Sequence, residues 1–261
     1  MTEAKHRVAG AVLLAGAQLA WAAAYVEVPG GTFPSTLGND ASAGQATVQP
    51  YRMRTTPVTR REFGAFVASH PQWQRQNAPP VFVDSDYLVD QTDGGKLPDS
   101  RGDQPVTHVS WFAAEAFCES EEGRLPTWLE WEFAAAADAT RGDARTDAAW
   151  RAQILGWYSR PAAQSLPAVG AKANYYGISD LHGVVWEWVD DFNALLVNAD
   201  SRSASDPDKL KFCGAGAIDL QQRDNYAILM RVALLSSLKG TDSTSSLGFR
   251  CVRPTTRGTT Q

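Results

Sequence analysis

Glycine and proline interrupt this chain too often for long regular elements. The 261 residues include 21 Gly and 14 Pro, together with nine Trp. Large rings that must be buried, on a backbone broken this frequently, call for a compact, loop-rich fold rather than a long helical one. The length allows one large domain or two small ones, and 44% hydrophobic residues supply a sizeable core. The formal net charge of -5 argues against a nucleic-acid partner, because phosphate binding needs an excess of Lys and Arg.

The first stretch has the pattern of an export signal. Lys5, His6 and Arg7 give a positive start, and Val8 to Ala20 is an apolar run too short to span a bilayer. Ala20-Trp21-Ala22 and Ala22-Ala23-Ala24 both offer small-x-small cleavage sites. Residues 1–22, with cleavage at 24 as the alternative, are therefore expected to be a signal peptide. Residues 25–254 then form a single domain and 255–261 a tail. The mature protein is expected in the periplasm with no membrane anchor. An oxidising compartment allows one disulfide among Cys118, Cys213 and Cys251, and spacing alone leaves all three pairings open.

Several local signals place elements. Tyr25 to Phe33 alternates as a strand before running into a Gly-Gly turn. Thr59-Arg60-Arg61-Glu62 is a capping box, and Phe63, Phe66 and Val67 follow at helical spacing, which predicts a helix over 60–69. Residues 70–105 are rich in Pro, Asp and Gly and read as a long loop. Ser110 caps a second helix that Gly123 ends. Thr127 and Glu130 open a third helix, to about Ala137. Short strands are expected at 184–189, 210–213 and 248–252. The alternative organisation is two domains divided near 140–150.

Residues 105–133 read PVTHVSWFAAEAFCESEEGRLPTWLEWEF, 177–191 read GISDLHGVVWEWVDD, and 247–251 read LGFRC. In this order and spacing they resemble the formylglycine-generating enzyme (sulfatase-modifying factor) family. The resemblance runs over about residues 25–253. It implies the family's compact, irregular C-type-lectin-like α+β fold and a Cys118–Cys251 disulfide. It also implies that Glu187, between Trp186 and Trp188, helps to hold calcium, which takes six to eight oxygen ligands. The family's asparagine three residues before that glutamate is Val184 here, so the plainer reading of Glu187 is a buried carboxylate satisfied by backbone donors. Arg124 and Glu130 read as structural.

The same resemblance identifies a departure. Family enzymes bind copper through two cysteines five apart, because soft thiolates suit Cu(I). The matching positions fall near Gln222 and Ala227. Copper binding by that pair, and with it formylglycine generation, is therefore not expected. The segment 212–239 is similar to exported branches of the family, one linked to pyoverdine maturation and one associated with copper nitrite reductase, and this resemblance implies a strand from Tyr226 to Arg231. The implied role is an oxidoreductase-like maturation factor for an exported peptide or small molecule, such as a siderophore chromophore precursor. The alternative is a non-catalytic accessory protein for a periplasmic metalloenzyme. Candidate catalytic residues are Cys213 (thiol), Asp224 (acid–base), Tyr226 (hydroxyl) and Arg231 (anion anchor), with Asp219, Gln222 and His182 toward the substrate.

Overall fold

In a computed structural model, residues 24–35, 37, 44–90, 101–159, 165–195 and 226–255 are described. The alternating run at the start forms two strands instead of one. Strand β1 (Tyr25–Val28) stops at Pro29, and β2 (Gly31–Pro34) continues in a different sheet. Gly30 makes this break possible. Its φ is +67°, and a Cβ there would lie 2.3 Å from the Val48 carbonyl oxygen, so only glycine fits. β2 pairs antiparallel with β3 (Gln45–Val48), whereas β1 pairs with β4 (Tyr51–Arg54). The far edge of β4 takes the last strand, β7 (Val252–Pro254), with Met53 opposite Val252. The two ends of the described chain thus close one three-stranded sheet in the order β1-β4-β7.

The helices start where their caps dictate. In α1 (Arg60–Ser69) Thr59 and Glu62 form the reciprocal capping box, and Phe63, Phe66 and Val67 are buried. A 3-10 turn at Pro71–Trp73 interrupts the segment read as loop. Ser110 accepts from the Ala113 amide to open α2 (Trp111–Ser120). Gly123 then passes so close to β7 that a Cβ would sit 2.6 Å from the Val252 carbonyl oxygen. Helix α3 (Trp128–Ala135) has the expected box at Thr127 and Glu130, and it ends two residues earlier than its sequence suggests.

Two helices depart from the sequence reading. Helix α4 (Ala148–Tyr158) was not anticipated; Asp147 caps it through the Trp150 amide. Helix α5 (Tyr226–Ser237) replaces the strand expected from Tyr226 to Arg231. The aromatic and branched residues at its start imitate a strand. The run continues, however, through Val232 and Leu235, which are buried with Arg231 at helical spacing. The expected strand at 184–189 shrinks to β5 (Trp186–Glu187), parallel to β6 (Leu247–Gly248), and that at 248–252 is split between β6 and β7. The expected strand at 210–213 lies outside the described residues.

One buried cluster connects these elements. At its centre Phe63, Phe66, Phe117 and Phe249 pack ring on ring, with centroids 5.4–6.0 Å apart. Beside them Cys118 and Cys251 form a disulfide across a sequence separation of 133, the pairing the resemblance implies. Closing a loop of that length stabilises the fold by about 4–5 kcal/mol in the chain-entropy account.

Candidate functional site

The site is built over a polar core. Glu187 is fully buried, and both of its oxygens are occupied. Arg250 grips it through Nε and Nη2 at 2.7–3.1 Å, and the Trp131 indole donates to Oε2 at 2.8 Å. The donors are thus side chains, where the sequence suggested backbone amides. Arg250 Nη2 also donates to the Ser179 carbonyl, so this one guanidinium joins β5 to the loop before it. A calcium ion would need the oxygens that Arg250 and Trp131 already fill. The residues present do not fit the calcium role considered for Glu187. Among the described residues, no group of three or more His, Cys, Asp or Glu side chains is placed to hold a metal.

Arg231 descends from α5 onto this core and is 1% exposed. Its guanidinium carbon lies 3.6 Å from the centroid of the Trp131 ring, and Nη2 donates to the Glu187 carbonyl at 2.6 Å. Burial pushes its pKa down to about 10, with Arg250 nearby acting the same way. The group read from sequence as an anion anchor therefore faces the core.

Above this core, α3, α4 and α5 enclose a cavity of about 30 Å³, walled by Trp131, Trp150, Ile154, Ala227, Ile228 and His182. A wider cleft of about 270 Å³ lies alongside and shares Ala135, Trp150, Ile154 and His182 with it. His182 is thus in the wall of both, and both of its ring nitrogens are engaged. Nε2 is 2.8 Å from the Ala135 carbonyl oxygen and Nδ1 is 3.2 Å from the Tyr158 hydroxyl. Trp131, Trp150 and Trp157 surround the ring with centroids 5.5–6.1 Å away. Burial among these rings pushes the imidazole pKa down to about 4, against the lone backbone hydrogen bond that favours its charged form.

Sequence reasoning missed Glu132, which lines the inner cavity and is 2% exposed. Its Oε2 accepts from Ser35 Oγ at 2.6 Å and from the Trp128 indole at 2.9 Å. Its Oε1 accepts no hydrogen bond and lies 3.6 Å from Arg145 Nη1. Arg145 is committed elsewhere, donating to Asp143 through Nε and Nη2 and to the Pro34 carbonyl through Nη1. Burial raises the Glu132 pKa to about 7, in the range of a proton carrier near neutral pH. A signal was present: Glu130 is spent on the cap, which leaves Glu132 as a second acid in an otherwise apolar helix. The structural reading of Arg124 and Glu130 is met directly: Arg124 holds Glu130 through two hydrogen bonds of 2.6 and 2.7 Å.

Of the other candidates, Tyr226 is the first residue of α5, one position before the cavity-lining Ala227. Cys213, Asp219, Gln222 and Asp224 lie outside the described residues. The position that the resemblance assigns to the second copper thiolate, Ala227, is a methyl group on the cavity wall. It does not fit a two-thiolate copper site.

The family model for the sulfatase-modifying factor enzyme 1-like domain matches residues 13–255. The chain belongs to that family. Hercynine oxygenase of Mycolicibacterium smegmatis is 33% identical over 193 residues, covering 62% of this chain and 44% of the oxygenase. The chain thus spans less than half the length of that relative. Formylglycine-generating enzyme of Streptomyces coelicolor is 28% identical over 281 residues, covering 87% of this chain and 88% of the enzyme. The crystal structure of CarF superposes with a TM-score of 0.52 at 21% identity, over 89% of this chain and 98% of CarF, which shows a shared fold.

Proposed function

We propose that this member of the family is an exported, oxidoreductase-like maturation factor. It acts in the periplasm on a peptide or small molecule, a siderophore chromophore precursor being one such client, and does not generate formylglycine. Membership of a family with an oxygenase and a formylglycine-generating enzyme among its relatives supports oxidative chemistry in general. Ala227 is the observation that carries the reading. It lines the cavity at the position where the resemblance calls for a thiolate, so a methyl group stands in place of a metal ligand.

In this reading the aromatic walls bind and orient the client and exclude water. Glu132, with its raised pKa, holds or moves a proton at Oε1. Cys213, Asp219, Gln222, Asp224 and Tyr226 belong to the same proposal as the groups that act on the client. The oxidant is dioxygen or another acceptor taken from solution.

The experiment is a paired assay of protein purified from periplasmic extract, with mass spectrometry as the readout. A cysteine peptide derived from a sulfatase should stay unchanged under oxygen and copper. A reduced siderophore precursor should lose two hydrogens. Conversion of the peptide to formylglycine would overturn the reading. A metalloenzyme co-purifying with the chain, with neither substrate altered, would point to the accessory role instead.

A further inference from the structure

Taking this pocket as the client site, as proposed above, we infer that it selects a neutral aromatic compound bearing a hydroxyl group, whose O–H is accepted by Glu132 Oε1 in the inner cavity. The inner cavity has room for about two water-sized groups, enough for a head group and too small for a ring. The neighbouring cleft has the volume for the ring and presents the indoles of Trp150 and Trp157.

The polar atoms decide which head group fits. The Trp131 indole N–H is spent on Glu187, and both nitrogens of His182 are engaged. Arg145 is committed to Asp143 and Pro34. Glu132 Oε1 is buried, accepts no hydrogen bond, and has Arg145 Nη1 at 3.6 Å as its ion-pair partner, on a residue that lines the inner cavity. A buried acceptor left in that state costs stability, and a ligand O–H removes the cost. The charges decide against an ionic ligand. Across the two spaces the acids Glu132, Asp138 and Asp180 are matched by Arg145, Arg151 and Lys172. The balance gives neither an anion nor a cation a net attraction.

The test is equilibrium binding to the full mature chain at pH 8, followed by tryptophan fluorescence. The probes are N-acetyltyrosinamide and its O-methyl ether, which keeps the ring and loses the donor. The phenol should bind about tenfold more tightly than the ether, the worth of one buried hydrogen bond. In Glu132→Gln the side-chain carbonyl must serve the Ser35 and Trp128 donors. The amide NH2 then occupies the Oε1 position, and the preference for the phenol should vanish. Ala227→Leu, which fills the inner cavity without touching those hydrogen bonds, should remove the same preference and keeps the test open if the Gln variant misfolds. Equal affinity for the two probes, or a preference that survives in both variants, would overturn the inference even if the chain oxidises its client. Loss of the preference in the variants supports it even if no turnover is found.

Discussion

Arg231 lies face-on to the Trp131 ring, 3.6 Å from its centroid, while donating to the Glu187 carbonyl. Through this one side chain α5 is fastened to α3 and to β5 together, and the cavity between the helices keeps its width. Replacing Arg231 by Met keeps most of the packing and removes the hydrogen bond and the cation–π contact. The Arg231 Nε is itself buried without a partner, which offsets part of the loss. A net cost of about 1–3 kcal/mol is expected in urea unfolding. An unchanged midpoint would show that α5 is held by its apolar face alone.

Glu187 should matter more. Its loss leaves Arg250 buried and unpaired, since the two are each 0% exposed. Glu187→Gln is expected to cost about 3–5 kcal/mol, more than Arg231→Met. Added calcium should leave the thermal midpoint of the wild type where it is, because the carboxylate oxygens are already taken. A calcium-dependent rise that disappears in Glu187→Gln would restore the metal role.

The disulfide gives a chemical check. Alkylation of the unreduced protein followed by mass spectrometry should label Cys213 and leave Cys118 and Cys251 protected. Replacing both bonded cysteines by Ala should lower stability by about 4–5 kcal/mol. Labelling of Cys118 or Cys251 in native protein would contradict the pairing.

What could be read from the sequence was what is decided within a few residues. Thr59 with Glu62, and Thr127 with Glu130, each carry a whole cap in four positions, and both boxes form as written. The motifs around Glu187 and Arg250 were both recognisable. Their pairing was not, because Glu187 and Arg250 stand 63 positions apart and meet only when β5 pairs with β6. Helix α5 was misread since its first six residues favour either state, and only the following turns, packed inward through Val232 and Leu235, decide it. Glu132 stayed hidden for a related reason. Its character comes from Ser35, Trp128 and Arg145, which the fold brings together and local pattern does not announce.

Two titrating groups on the cavity wall should act against each other. His182 has a folded pKa of about 4, lowered first by burial, against an unfolded value of 6.5. The unfolded chain therefore binds the extra proton between those values, and stability from His182 is lost as pH falls from 6.5 toward 4. Glu132 has a folded pKa raised by burial to about 7, against 4.5 unfolded. Here the folded state holds the proton, and stability is lost as pH rises from 4.5 toward 7. Each group contributes a slope of at most about 1.4 kcal/mol per pH unit, and between 4.5 and 6.5 the slopes cancel. Relative to wild type, His182→Gln should therefore gain stability on acidification through that window, and Glu132→Gln should lose it. Urea unfolding at a series of pH values reads both differences. Parallel curves for the two variants would mean that neither group is held in the state its surroundings impose.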